Sequence, residues 1–318
     1  MTKRKMWRML PACPQKWLTA AVALFMLSAC TTAPPEAPRQ ARSPQKVAIV
    51  VSQRAAVFDD VAEQLQQELA GNATRYYLTG KNAADNELAK AVTESSATQV
   101  VVIGLPAALW SNQIQRKQIV FCQVFNHQQY RLVSEWRKGV SSVPPAEQLF
   151  AKWKTLSPSL RRVVTITGPM HKSLIAHAKN DAAKEGIRLD HMVVRSDKEF
   201  RYTFKNRVGK YQGIWLLPDN RVLSRSTMRE VMSYSIRHGK QVAVFNPQLL
   251  SIGGLISAEP VPEDVAVRVL DRLRKARPGA AIPGPGVVPL GKTRFQINKV
   301  LVRQLGLTPS RTPTGNGA

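Results

Sequence analysis

Five side chains stand where short apolar runs give way to polar residues: Ser52, Leu105, Asn126, Asp219 and Asn246. Such positions present a hydroxyl, two carboxamides and a carboxylate beside an apolar contact. That set binds and orients a small molecule rather than transforming it. Asp219 is the one anionic group of the five and so a candidate acceptor for a ligand cation, and each of the five also suits an ordinary turn or helix cap. Covalent or acid–base chemistry finds no support in the sequence. It contains no GxGxxG after the first apolar run, no HExxH and no GxSxG. His127, His171, His177, His191 and His238 lack metal-ligand spacing, and Cys122 lies inside an apolar run that predicts a buried, inert thiol. An enzyme is not expected, and no cofactor or metal is implied.

The elements that must hold these residues are legible as two series of β-branched runs. The first comprises residues 47–51, 75–78, 99–103 and 118–125; the second comprises 162–167, 189–194, 213–217 and 241–245. Their spacing leaves room for a helix between successive runs, which is the rhythm of parallel βα units. Helical spacing appears in the gaps. Phe58, Val61, Leu65 and Leu69 stop at Gly71, and Leu174, Ile175, Ala178 and Ala182 stop at Gly186. Ser224 predicts the cap of a helix with Met228, Val231, Met232 and Ile236 inward, ending at Gly239. Pro262 suits a first helical turn, with Val265, Val269 and Leu273 inward and Pro278-Gly279 closing the helix. The expected fold class is therefore α/β, with two Rossmann-like lobes built on parallel sheets and joined by a hinge. Ligands of open α/β sheets bind outside the carboxyl ends of the strands, so two such rims facing each other would form an interlobe cleft.

The N-terminus predicts where this body resides. Residues 1–29 combine Lys3, Arg4, Lys5, Arg8 and Lys16 with no acid, a short apolar run and the small pair Ser28-Ala29, the order of a secretory signal peptide. The apolar run is too short for the roughly 20 residues of a membrane-spanning helix. Leu27-Ser28-Ala29-Cys30 resembles the lipobox of bacterial lipoproteins, which implies that Cys30 is acylated with fatty chains such as palmitate and becomes the mature N-terminus. Residues 30–46 are Pro-rich and polar and read as a tether. In a bacterium with two membranes, Thr31 rather than Asp after the cysteine implies the outer membrane, facing the periplasm. The sequence has a formal net charge of +25; the five cations of residues 1–29 leave with the signal, so +20 remains. That excess favours anionic envelope neighbours, while export and the lack of a recognition motif argue against nucleic acid.

Residues 104–108, 139–142, 149–169, 213–224, 241–254 and 295–307 resemble the ABC transporter substrate-binding protein family whose better-known members bind tryptophan, tyrosine or related solutes. Leu217-Pro218-Asp219-Asn220 and the C-terminal Ile297-Asn298 followed by Leu305-Gly306-Leu307 are the most specific pieces. The resemblance implies a type I periplasmic-binding fold, a small-molecule solute and an ABC permease as partners, and membrane attachment through the lipid anchor. It also places Ser141, in Gly139-Val-Ser-Ser, among the cleft residues. The sequence departs from the family at Leu105, where a threonine is expected, and at Asn126-His127, where Asp-Pro is expected. Both changes remove charge-assisted or hydroxyl partners for an amino-acid ligand. The organisation expected is a signal at 1–29, a tether at 30–46, an N-terminal lobe at 47–140, a C-terminal lobe at 141–256, a return segment shared between the lobes at 257–307 and a disordered tail at 308–318. The alternative function is an envelope scaffold or sensor lipoprotein that keeps the fold with a lost or altered ligand site.

Overall fold

The computed structural model describes residues 46–309; the signal segment, Cys30, the tether up to Gln45 and the tail from Ser310 lie outside the described residues. Two six-stranded sheets organise the body. The first is built from β1 (Val47–Val51), β2 (Ala73–Tyr77), β3 (Gln99–Ile103), β4 (Gln118–Cys122), β5 (Arg137–Val140) and β11 (Val287–Val288), in the order β11-β5-β4-β3-β1-β2. All of its pairs are parallel. The second contains β6 (Arg162–Thr167), β7 (Arg188–Val193), β8 (Gly213–Trp215), β9 (Gln241–Val244), β10 (Ile256–Pro260) and β12 (Thr293–Ile297), in the order β12-β10-β9-β8-β6-β7. Only β12 runs antiparallel there, against β10. Both lobes belong to one compact unit.

Helices cover both faces of each sheet, and this is why the central strands read as unbroken apolar runs. Side chains alternate across β1: Val47, Ile49 and Val51 meet α1 (Ala56–Glu68) and α8 (Pro262–Lys275), while Ala48 and Val50 share a core with α2 (Asn82–Glu94) and α3 (Leu105–Trp110). In the second lobe, Val163, Leu189 and Ala243 pack with α4 (Ala146–Leu156), α5 (Lys172–Lys184) and α9 (Lys299–Gln304). The opposite face joins Val164, Ile214 and Val242 to α6 (Asp197–Arg207) and α7 (Arg225–Arg237). Full burial of each such side chain stabilises by about 1.5–3 kcal/mol.

The chain passes between the lobes three times: between β5 and α4, between β10 and α8, and between β11 and β12. Four strands lack a clear signature in the sequence. β5 reads Arg-Lys-Gly-Val, and its place in the sheet depends on Gly139, where an added Cβ would stand 2.2 Å from the Phe121 ring. β10 belongs wholly to the second sheet, so the return to the first lobe begins after Pro260 rather than at residue 257. β11 and β12 are short or half-exposed, and distant partners specify them. Within α7, Ser224 caps the helix by accepting from the Thr227 N–H. Ile236 departs from the expected inner stripe and is 51% exposed, because the helical repeat carries the buried line from Met232 to Ser235, one residue short of it.

Candidate functional site: the interlobe cavity

A cavity of about 750 Å³ opens between the lobes at the carboxyl ends of the strands. Its wall includes Phe58 from α1, Phe125 from the loop after β4, Trp215 at the end of β8 and Phe245 after β9. Carboxamides dominate the polar lining: Gln53, Gln123, Asn126, Asn220, Asn246 and Gln248. Asp60, Glu259 and Arg294 are the charged residues that border the cavity among the described residues. Burial pushes the Glu259 carboxyl above the usual range, against the opposing effects of the Ser257 hydroxyl and the Arg294 guanidinium. Flat apolar walls with neutral, two-way hydrogen-bonding groups suit a small molecule with a ring or apolar body and a polar edge.

Four of the six residues nominated from the sequence border this space: Ser52, Leu105, Asn126 and Asn246. Ser52 also stitches the first lobe together, since its Oγ donates to the Ile103 carbonyl at 2.8 Å and accepts from the Ala107 N–H at 2.9 Å. The fit is tight. Gly104 has φ +86°, and a Cβ there would lie 2.6 Å from the Ser52 Oγ. Asn246 accepts from the Gln248 N–H at 2.9 Å and so caps the short 3₁₀ turn Pro247–Ile252.

The other two nominated residues, Ser141 and Asp219, do not border the cavity. Ser141 closes a turn in the crossover, where its Oγ accepts from the Val143 N–H and donates to the Val143 carbonyl; its neighbour Ser142 reaches the cavity instead. Asp219 is 1% exposed and is occupied by the protein. It accepts from the Gly168 N–H at 2.8 Å and the Arg221 N–H at 3.3 Å, and its Oδ2 lies 3.3 Å from His171 Nε2. A carboxylate can only accept, so His171 Nε2 carries the proton. Burial alone would raise the Asp219 carboxyl, but the hydrogen bonds from His171 and Gly168 outweigh it and hold the pKa below the ordinary value.

Asn126 joins the lobes. The loop after β4 places Val124 in the first-lobe core and Phe125 against the second, where its ring stacks on His171 with centroids 4.3 Å apart. Asn126 then accepts from His171 Nε2 at 2.9 Å and donates to Asn220 Oδ1 at 2.9 Å. The sequence offered no signal for this network, because His171 and Asp219 are distant in the chain and His171 is one of five histidines without ligand spacing. The aromatic wall was hidden for a related reason: Phe58 and Trp215 fall within apolar patterns that read as core.

Cys122 is fully buried in β4, and burial pushes its thiol up to about 12, so it stays protonated. Among the described residues no group of His, Cys, Asp or Glu is arranged to hold a metal ion, and no helix is long and apolar enough to cross a membrane.

Comparison with solved structures returns the same architecture. A protein from Streptococcus pneumoniae, solved in complex with L-Trp, is 21% identical with a TM-score of 0.59, covering 85% of this chain and 97% of that one. A conserved domain protein from Vibrio cholerae is 22% identical with a TM-score of 0.57, at 85% and 97% coverage. A substrate-binding protein with adhesive properties from Clostridium difficile, in a ligand-free, open form, is 15% identical with a TM-score of 0.61, at 86% and 97% coverage. These likenesses show the type I periplasmic-binding fold. A comparison with curated protein sequences finds no match. The sequence pattern described as ABC transporter substrate binding protein matches residues 49–269, most of the two-lobed body, and the chain belongs to that family.

Proposed function

We propose that this protein is a lipid-anchored solute-binding lipoprotein on the periplasmic side of the cell envelope. It captures a small molecule in the interlobe cavity and passes it to an ABC permease. The observation that carries this reading is the cavity itself: space of ligand size, bordered by strand-end polar groups and four aromatic rings, in a member of a substrate-binding family. Ser52, Leu105, Asn126 and Asn246 are the proposed contacts, with Ser141 and Asp219 supporting them from behind. The polar lining is mainly uncharged, which favours a neutral or aromatic solute over a ligand held by an ion pair. Acylated Cys30 is the proposed anchor, and Thr31 after it supports an outer-membrane address where two membranes exist.

A thermal-shift screen of amino acids, nucleosides, sugars and short peptides tests the reading. A ligand at 100 times its dissociation constant adds roughly 2.7 kcal/mol of stability. For a chain of this size that raises Tm by about 4–5 °C. Absence of a shift with every class would sink the solute-binding assignment. Metabolic labelling with palmitate tests the anchor: label should enter the wild type and not the Cys30→Ala variant.

One observation favours a second reading, an envelope scaffold or sensor lipoprotein. Ser52 and Asn126 direct their polar atoms to partners within the protein, so part of the expected recognition set is engaged without a ligand. Binding of a solute that Gln53→Trp abolishes would exclude that reading, since Gln53 is exposed and borders the cavity.

A further inference from the structure

The positive charge of the body is unevenly placed. In the first lobe the solvent sides of α1 and α2 carry Asp60, Glu63, Glu68, Glu87 and Glu94, all exposed, and α1 contains no Lys or Arg. In the second lobe α6 and α7 lie side by side on one face of the sheet. Phe204 of α6 meets Tyr234 of α7 edge-on with centroids 5.2 Å apart, and Lys205 Nζ reaches Glu230 at 2.8 Å. With Phe200, Phe204, Val231 and Met232 turned into the core, the outer sides of this helix pair carry Lys198, Arg201, Lys205, Arg225, Arg229 and Arg237, all exposed. Arg201 pairs with Asp197 and Lys205 with Glu230. Lys198, Arg225, Arg229 and Arg237 have no acidic partner within salt-bridge distance among the described residues. Tyr202, 70% exposed, lies on the same stripe as Lys198 and Lys205.

We infer that the α6–α7 face is a docking surface for an anionic phospholipid headgroup layer. Unpaired cations on two adjacent helices complement a sheet of phosphates, and they act together because they lie on one face. An exposed tyrosine among long-stemmed cations suits the boundary between headgroups and water. The acidic helices of the first lobe are repelled by the same surface, so the interaction selects one orientation as well as a partner. It is independent of the cavity, and it would hold whether or not the protein binds a solute.

Flotation of the purified full chain with phosphatidylcholine vesicles, and with the same vesicles containing phosphatidylglycerol, isolates the electrostatic increment from any insertion of the N-terminal segment. The expected result is stronger binding to the anionic vesicles that weakens as salt rises. In R225E/R229E the increment falls on the order of thirtyfold or more, and K198E/R237E reproduces the loss should the first pair fold poorly. K292E/K299E, with the same change in net charge at exposed positions elsewhere, keeps the increment. No increment in the wild type, or an equal loss in the control pair, overturns the assignment. Tighter binding of polyglutamate or single-stranded DNA than of anionic vesicles also overturns it, and reassigns the face to an acidic protein or a nucleic acid.

Discussion

Asn126, His171 and Asp219 form the part of the site with the most at stake per atom. They are buried, polar and drawn from both lobes. A buried group deprived of its partner costs about 1–3 kcal/mol, more when the group is charged. Asp219→Asn should therefore lower stability at neutral pH by about that amount in urea denaturation. The sign with pH follows from the depressed folded-state pKa. The contribution of Asp219 is fully present above its unfolded value of about 3.9 and disappears as pH falls through the lower folded value. The variant and the wild type should thus converge in acid; a stability gap that persists unchanged at pH 2 would refute the role given to Asp219. His191 acts over a higher window. Burial first, then Lys179, His171 and Lys172, lower its pKa to about 4, so the unfolded chain binds its proton more readily than the folded one. Stability should fall as pH drops from about 6.5 toward 4, and His191→Asn should reduce that slope in melts taken across the range.

At the scale of elements, two positions test why particular segments adopt their structure. Ser224 accepts from the Thr227 N–H at the start of α7. Ser224→Ala should cost about 1 kcal/mol, read as a lower urea midpoint with an unchanged slope. β5 depends on close approach. A Cβ at Gly139 would meet the Phe121 ring at 2.2 Å, so Gly139→Ala should destabilise by about 1–3 kcal/mol, and G139A/F121L should recover part of the loss by removing the ring. If the double variant is no more stable than the single, the contact is not the reason for the glycine. The central strands β1, β3 and β4 were legible because burial on both faces makes a strand uniformly apolar. β5, β10, β11 and β12 were not, because they pair at sheet edges or beside the crossovers, where charged and polar residues are tolerated.

For the whole molecule, three crossovers acting as a hinge would let the lobes approach around a bound solute. Saturation with a ligand identified by the thermal screen should reduce the radius of gyration measured by small-angle scattering and quench or shift the emission of Trp215, which borders the cavity. Gln53→Trp should leave the melt of the free protein unchanged while raising the dissociation constant at least about tenfold, because a large ring at the mouth excludes the ligand without touching the core. A compact ligand-bound form indistinguishable in size from the free form would argue against closure.

The sequence by itself determined the α/β class, the doubling of the βα series and the placement of polar residues at strand ends. Each of these follows from local rules: the period of apolar burial, capping chemistry and turn residues. It also brought Ser52, Leu105, Asn126 and Asn246 to the right end of their strands, since strand direction fixes which end faces the cleft. Only the tertiary structure decided that Asp219 faces inward to His171 and Gly168, that Phe58, Phe125, Trp215 and Phe245 form a wall, and that the cations of α6 and α7 share a face. The physical reason is the same throughout. Whether a polar group meets a ligand or another part of the chain, and whether a ring fills the core or borders a cavity, depends on neighbours that are dozens of residues away in sequence and a few ångströms away in space.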